Sequence, residues 1–165
     1  MAIRQPSTLP SKSTERLGDP GQLDAITLLL RDHRAVQQAL NDYLRCRDID
    51  EKAEILRDVI ADLEEHERME EAAFWPMIRR ALPDGAKLAD ECMAEEAEAK
   101  GLIGEIRAMD RHDPAWLPKV QRLIAAVLDH AGREQLEVFQ PLRSALPVDE
   151  LMAWGKELDR VRRSL

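Results

Sequence analysis

The sequence predicts an all-α protein: an up-and-down antiparallel four-helix bundle with an extra short C-terminal helix and a flexible N-terminal arm. Two observations carry this expectation. The composition is rich in Ala, Leu, Glu and Arg, with 44% hydrophobic, 34% charged and only 4% aromatic residues, which suits helices packed on one another. Apolar residues also recur at steps of three and four in four long segments joined by short polar breaks, so that consecutive helices become antiparallel neighbours. At 165 residues the chain is long enough to bury a core as one domain.

Residues 1–18 contain Pro6, Pro10 and several Ser and Thr without apolar periodicity, and read as the arm. Asp19-Pro20 resembles a helix start, an N-cap followed by proline. Ile26, Leu29, Leu30, Val36, Leu40 and Leu44 then form a stripe that includes His33. After a polar break at Asp48 to Asp50, a second helix is expected from about Glu51 to Leu82, with Ile55, Val59, Leu63, His66, Glu70, Ala73 and Met77 on its inner side. Pro76 should bend or interrupt it, and Pro83-Asp84-Gly85 should end it in a turn. A third helix, about 86–109, has two possible inner registers. One is Leu88, Cys92, Glu95, Ala99, Leu102, Ile106; the other is Ala89, Cys92, Glu96, Ala99, Ile103, Ile106. Asp113-Pro114 repeats the helix-start pattern, and Leu117, Val120, Leu123, Val127, His130, Glu134 and Val138 share a face of the fourth helix, disturbed near its end by Pro141. Pro147 breaks the chain before a short fifth helix from Asp149, whose Leu151, Trp154, Leu158 and Val161 would pack on the bundle. The expected division is arm 1–18, bundle 19–146 and packed C-terminal helix 147–165.

A net charge of −8 argues against a nucleic-acid partner, because phosphate binding needs clustered Lys and Arg. The one basic cluster, Arg160, Arg162 and Arg163, ends the last helix, where cations complement the helix dipole. No segment approaches a membrane span and no signal peptide is apparent, so the expected location is cytoplasmic. Cys46 and Cys92 read as small buried hydrophobes in a reducing compartment.

Chemistry concentrates where the stripe turns polar. His66 and Glu70 occupy core positions, and a buried carboxylate must be paired, protonated or bound to a metal. The pattern recurs as His130 and Glu134, and each pair is followed by an aromatic, Trp75 or Phe139, and then by a proline. Thirty-three residues before His66 lies His33, and thirty-four before His130 lies Glu96. Each half is thus a helical hairpin supplying one ligand-type residue and one His-x-x-x-Glu pair, as a two-metal site in a bundle requires. Imidazole with carboxylate suits iron, manganese or zinc. The candidate metal ligands are His33, His66, Glu70, Glu96, His130 and Glu134. The apolar stripe alone would equally allow Glu95; the internal repeat selects Glu96. His112, in a polar loop, is expected to face solvent.

At Leu30-Arg31-Asp32-His33-Arg34, Glu65-His66 through Trp75-Pro76, Ala94-Glu95-Glu96 through Ile103, and Asp129-His130 through Phe139, the chain resembles the hemerythrin-like, cation-binding HHE family. The resemblance covers roughly residues 23–146. It implies two iron ions bridged by oxo or hydroxo, with dioxygen, peroxide or nitric oxide as small ligands. The chain departs from the family at Glu96, where bacterial members usually carry histidine, and at Lys100, where hemerythrins proper have a further one. Pro141 also falls one residue later after Glu134 than Pro76 does after Glu70. The alignment, too, selects Glu96.

A third carboxylate leaves two ferrous ions with a net +1 where the usual set leaves +2, which favours the ferric state. The expectation is an oxidation-prone centre, not a reversible oxygen carrier. A metal-dependent redox or iron sensor and a metal-free structural bundle are the alternative readings. Tyr43 is expected to pack near the core stripe, and Trp75 and Phe139 to wall the site.

Overall fold

The computed structural model describes residues 22–165; the arm and the Asp19-Pro20 start lie outside them. Helix α1 (Ala25–Arg45) begins at Asp24, whose side chain accepts from the Thr27 amide at 3.0 Å. Helix α2 (Ile49–Met69) is capped by Asp48, which accepts from the amides of Asp50 and Glu51. These carboxylates satisfy amides that the first helical turn leaves without partners. The polar break before α2 is therefore a cap, and Asp50 already belongs to the helix.

The second helix does not run unbroken to Leu82. A five-residue π segment, Glu70–Phe74, separates α2 from α3 (Trp75–Ala81). A second, Gln135–Phe139, separates α5 (Trp116–Glu134) from α6 (Gln140–Ala145). In each case proline is the second residue after the π segment, Pro76 or Pro141. A proline ring clashes with the carbonyl four residues back and offers no amide, so the α ladder cannot pass; one wider turn absorbs the misfit. The one-residue offset between the two halves follows from this, since each π segment tracks its proline. Helix α4 (Gly85–Arg107) lies between α3 and α5, and α7 (Val148–Arg162) ends the chain.

An extra residue per turn rotates everything downstream. Met77, expected inside, is only half-buried, while Phe74, Trp75 and Ile78 are fully buried. Similar one-residue corrections apply elsewhere. Tyr43 is buried and Leu44 is 57% exposed, and Trp116 replaces Leu117 at the start of α5. Helix α4 buries Gly85, Ala89, Cys92, Glu96, Ala99, Leu102, Ile103 and Ile106, which is the second of its two registers plus Gly85 and Leu102.

Helices α1 and α2 form one hairpin and α4 and α5 the other, closed by contacts of α1 with α5 and of α3 with α4. Helix α7 lies along α1 and the first π segment, contributing Leu151, Leu158 and Val161 to the core. Its Gly155 allows a close approach, because a Cβ there would stand 2.0 Å from the Leu23 carbonyl oxygen. Two apolar clusters result. One joins the α7 end of the bundle around Phe74, Trp75 and Leu158, and the other fills the far end around Tyr43, Leu63 and Ile103. The candidate ligands occupy the polar layer between them.

Candidate metal centre

Four side chains from three helices and a π segment meet at the first position. His33 Nε2 lies 3.2 Å from Glu134 Oε2 and 3.3 Å from His66 Nε2, and His66 Nε2 lies 3.2 Å from Glu70 Oε1. Together His33, His66, Glu70 and Glu134 offer donor atoms within 4.8 Å of one another. A second group meets the same distance limit: Glu70, Glu96 and His130. Glu70, which has no exposed surface, is common to both.

These carboxylates are expensive to bury. Among the described residues, both oxygens of Glu70, both of Glu134 and Oε2 of Glu96 have no hydrogen-bond partner. Burial pushes the Glu70 carboxyl above its ordinary range, and the facing Glu134 pushes it further. Burial likewise raises Glu134. Glu96 is pushed up to about 9 by burial and by Glu70, against the lowering effect of the Trp75 hydrogen bond. Burial and the adjacent His66 hold His33 down at about 4. Burial opposes charge on His66 too, but Glu70 and Asp32 outweigh it and raise the imidazole well above its ordinary value. Five buried acceptor oxygens without donors, beside imidazole nitrogens, are a donor set fitted to a cation.

Each histidine of the repeat is also held from behind. His66 Nδ1 donates to Asp32 Oδ2 at 3.3 Å, and His130 Nδ1 donates to Glu95 Oε2 at 3.0 Å. Both carboxylates are in turn paired with arginine: Asp32 with Arg162, and Glu95 with Arg133, whose Nη1 lies 2.6 Å from Glu95 Oε1. A carboxylate on Nδ1 directs Nε2 toward a metal. The Trp75 indole N–H donates to Glu96 Oε1 at 2.8 Å, and the Phe139 ring stacks on His33 with centroids 5.7 Å apart.

The structure thus brings all six sequence-predicted residues into one layer. Glu95 is not part of the two groups that share Glu70; it is about one-third exposed and backs His130. It does form a third group with Cys92 and His130, where burial pushes the Cys92 thiol up to about 12. Cys46 is only half-buried, and neither cysteine is in a disulfide. His112 is solvent-facing, and Lys100 pairs with Glu71 and lies 3.6 Å from Glu67. Sequence reading missed Asp32, Arg133 and Arg162. The first was detectable, since Asp32-His33 in one half corresponds to Glu95-Glu96 in the other.

A four-helix bundle with two overlapping His/Glu clusters in its central layer defines a metal-cation-binding protein. The chain belongs to the hemerythrin HHE cation-binding domain family, which matches residues 24–142. Among solved structures, a hemerythrin HHE cation-binding domain-containing protein from Mycobacterium kansasii shares the fold, with a TM-score of 0.75, 14% identity and 86% of each chain covered. Among curated proteins, a DNA nickase from Nostoc sp. is 22% identical over 147 residues; these make up 89% of this chain but 41% of that protein's length. No described helix is long and apolar enough to cross a membrane.

Proposed function

We propose that the chain is a non-haem di-iron protein that reacts with or senses dioxygen, peroxide or nitric oxide, through a centre disposed to oxidation and poorly suited to reversible oxygen carriage. One observation carries this reading: Glu70, fully buried and without a hydrogen-bond donor among the described residues, is shared by both donor clusters. With a cation in each cluster, Glu70 would serve both.

His33, His66 and Glu134 would hold one ion, Glu96 and His130 the other, and Glu70 both. Bound iron would supply the electrons exchanged with the small ligand. The protein's own part is to supply negative charge, exclude water and limit access. Three carboxylates favour the higher oxidation state. Trp75 holds one Glu96 oxygen by its N–H, leaving Oε2 for a cation. A cavity of about 40 Å³, bounded by His33, His66, Glu96, His130 and the apolar Val36, Leu63 and Ala99, adjoins the site. That volume has room for a water-sized ligand. The net charge of −8 opposes binding to the phosphates of nucleic acid.

Metal content and the optical spectrum test the proposal, on untagged protein purified with iron, manganese or zinc supplied in turn. About two irons per chain with near-ultraviolet oxo-to-iron bands are expected, and Glu96→His should change the spectrum. Preference for manganese or zinc would replace iron as the metal. Absence of stoichiometric metal under every supply would return the chain to a structural bundle. Ligand-dependent protease protection without turnover would favour sensing over catalysis.

A further inference from the structure

The two histidines of the repeat are backed alike, but the arginines behind them come from different places. Arg133 stands three residues after His130, on the same helix. Arg162 is separated from Asp32 by 130 residues and belongs to α7, outside the four long helices. Of the three arginines that end α7, Arg160 pairs with its helix neighbour Glu157 and Arg163 with Asp159, whereas Arg162 turns inward. Its guanidinium contacts both carboxylate oxygens of Asp32, Glu65 at 3.4 Å and the Met69 sulfur at 3.3 Å. Leu158 and Val161, buried on the same helix, hold it there.

The geometry points to Arg162 as a positioning residue that carries α7 into the metal centre: through Asp32 it orients His66, and so sets affinity at one of the two metal positions. This inference rests on the di-metal reading above. A planar guanidinium with two contacts to Asp32 restrains that carboxylate, and the carboxylate restrains the imidazole. The other position is backed by Glu95 and Arg133, neither of which lies on α7. Linkage requires the reciprocal effect: a metal ion on His66 must tighten the docking of α7.

Zinc is the probe, because it is diamagnetic and suits the donor set. The full chain is titrated with zinc by calorimetry, and the His66 Nδ1 proton is followed by NMR. Wild type should bind zinc in two steps and show this proton exchanging slowly with solvent. Arg162→Met should weaken one step by about 10–100-fold, leave the other in place and speed that exchange. Arg162→Lys should restore part of the loss, and Arg133→Met should affect the other step. Metal should slow amide hydrogen exchange in α7 of wild type but not of Arg162→Met. Should Arg162→Met not fold, Asp32→Asn removes the same restraint from within α1 and should weaken the same step. Two unchanged zinc steps in whichever of these variants is folded would overturn the role of Arg162 alone. A wild-type chain that takes up no zinc, iron or manganese would overturn the di-metal reading and this inference together.

Discussion

Trp75 donates its indole N–H to Glu96 at 2.8 Å, linking the first residue after the π segment to a carboxylate of the polar layer. The contact exists because the extra residue in Glu70–Phe74 rotates Trp75 inward. Trp75→Phe keeps most of the buried ring but removes the donor. It should weaken one metal by about tenfold, as loss of an outer hydrogen bond typically does, while helicity by circular dichroism is retained. Unchanged affinity for both metals would refute the link.

Glu95 and Glu96 should separate cleanly by mutation. Glu96→Gln removes a charged donor from the shared layer, and the chain should then retain about one tightly bound metal. Glu95→Gln leaves the donor set whole and loosens only the support of His130, so two metals should remain, one of them about tenfold weaker. Metal counting after desalting distinguishes these outcomes, and the reverse pattern would reassign the ligand.

Without metal, stability should fall as pH rises above about 6.5. The folded chain keeps a proton on Glu96 up to about pH 9, whereas an ordinary glutamate in the unfolded chain releases it near 4.5. Between those values the folded state binds more protons, so its advantage is complete below the unfolded value and is lost through the folded one. His66, also raised, acts in the same direction. His33 acts oppositely, since its value of about 4 makes the unfolded chain the greater proton binder between about 4 and 6.5. Melting midpoints at pH 6.5 and 9 should differ by on the order of 5 °C for metal-free protein. Metal should reduce this difference, because ionised carboxylates then face a cation. Equal slopes with and without metal would contradict the assignment.

Inserting one alanine after the exposed Ala72 gives the first π segment a second extra residue, which one wider turn does not absorb, and should rotate α3 by about 100°. Phe74, Trp75 and Ile78 would then leave the core, each loss worth about 2–5 kcal/mol by analogy with truncation. The expected result is a chain that melts at least ~10 °C lower and holds no metal. Ala72→Ser, which keeps the register, should behave nearly as wild type.

Much of the centre was legible because its signals are local. His-x-x-x-Glu spacing places two donors on one helical face whatever the neighbouring helices do, and the repeat in each hairpin pointed to the other two candidate ligands. Residues displaced from expectation, such as Met77 against Ile78, fail for one reason: proline chemistry predicts a disturbance but not that an extra residue will absorb it. Arg162 was unreadable because a cation at a helix end has an adequate local explanation.

The sequence by itself determined the four long helices, the antiparallel pairing and the six residues of the polar layer, since periodicity, short connections and donor spacing are properties of single segments. Tertiary structure alone decided that Glu95 backs His130 while Glu96 joins Glu70, that Trp75 reaches Glu96, and that α7 reaches His66 through Arg162 and Asp32. Those outcomes depend on distances between helices, and a shift of one residue in register changes which side chain a neighbouring helix meets.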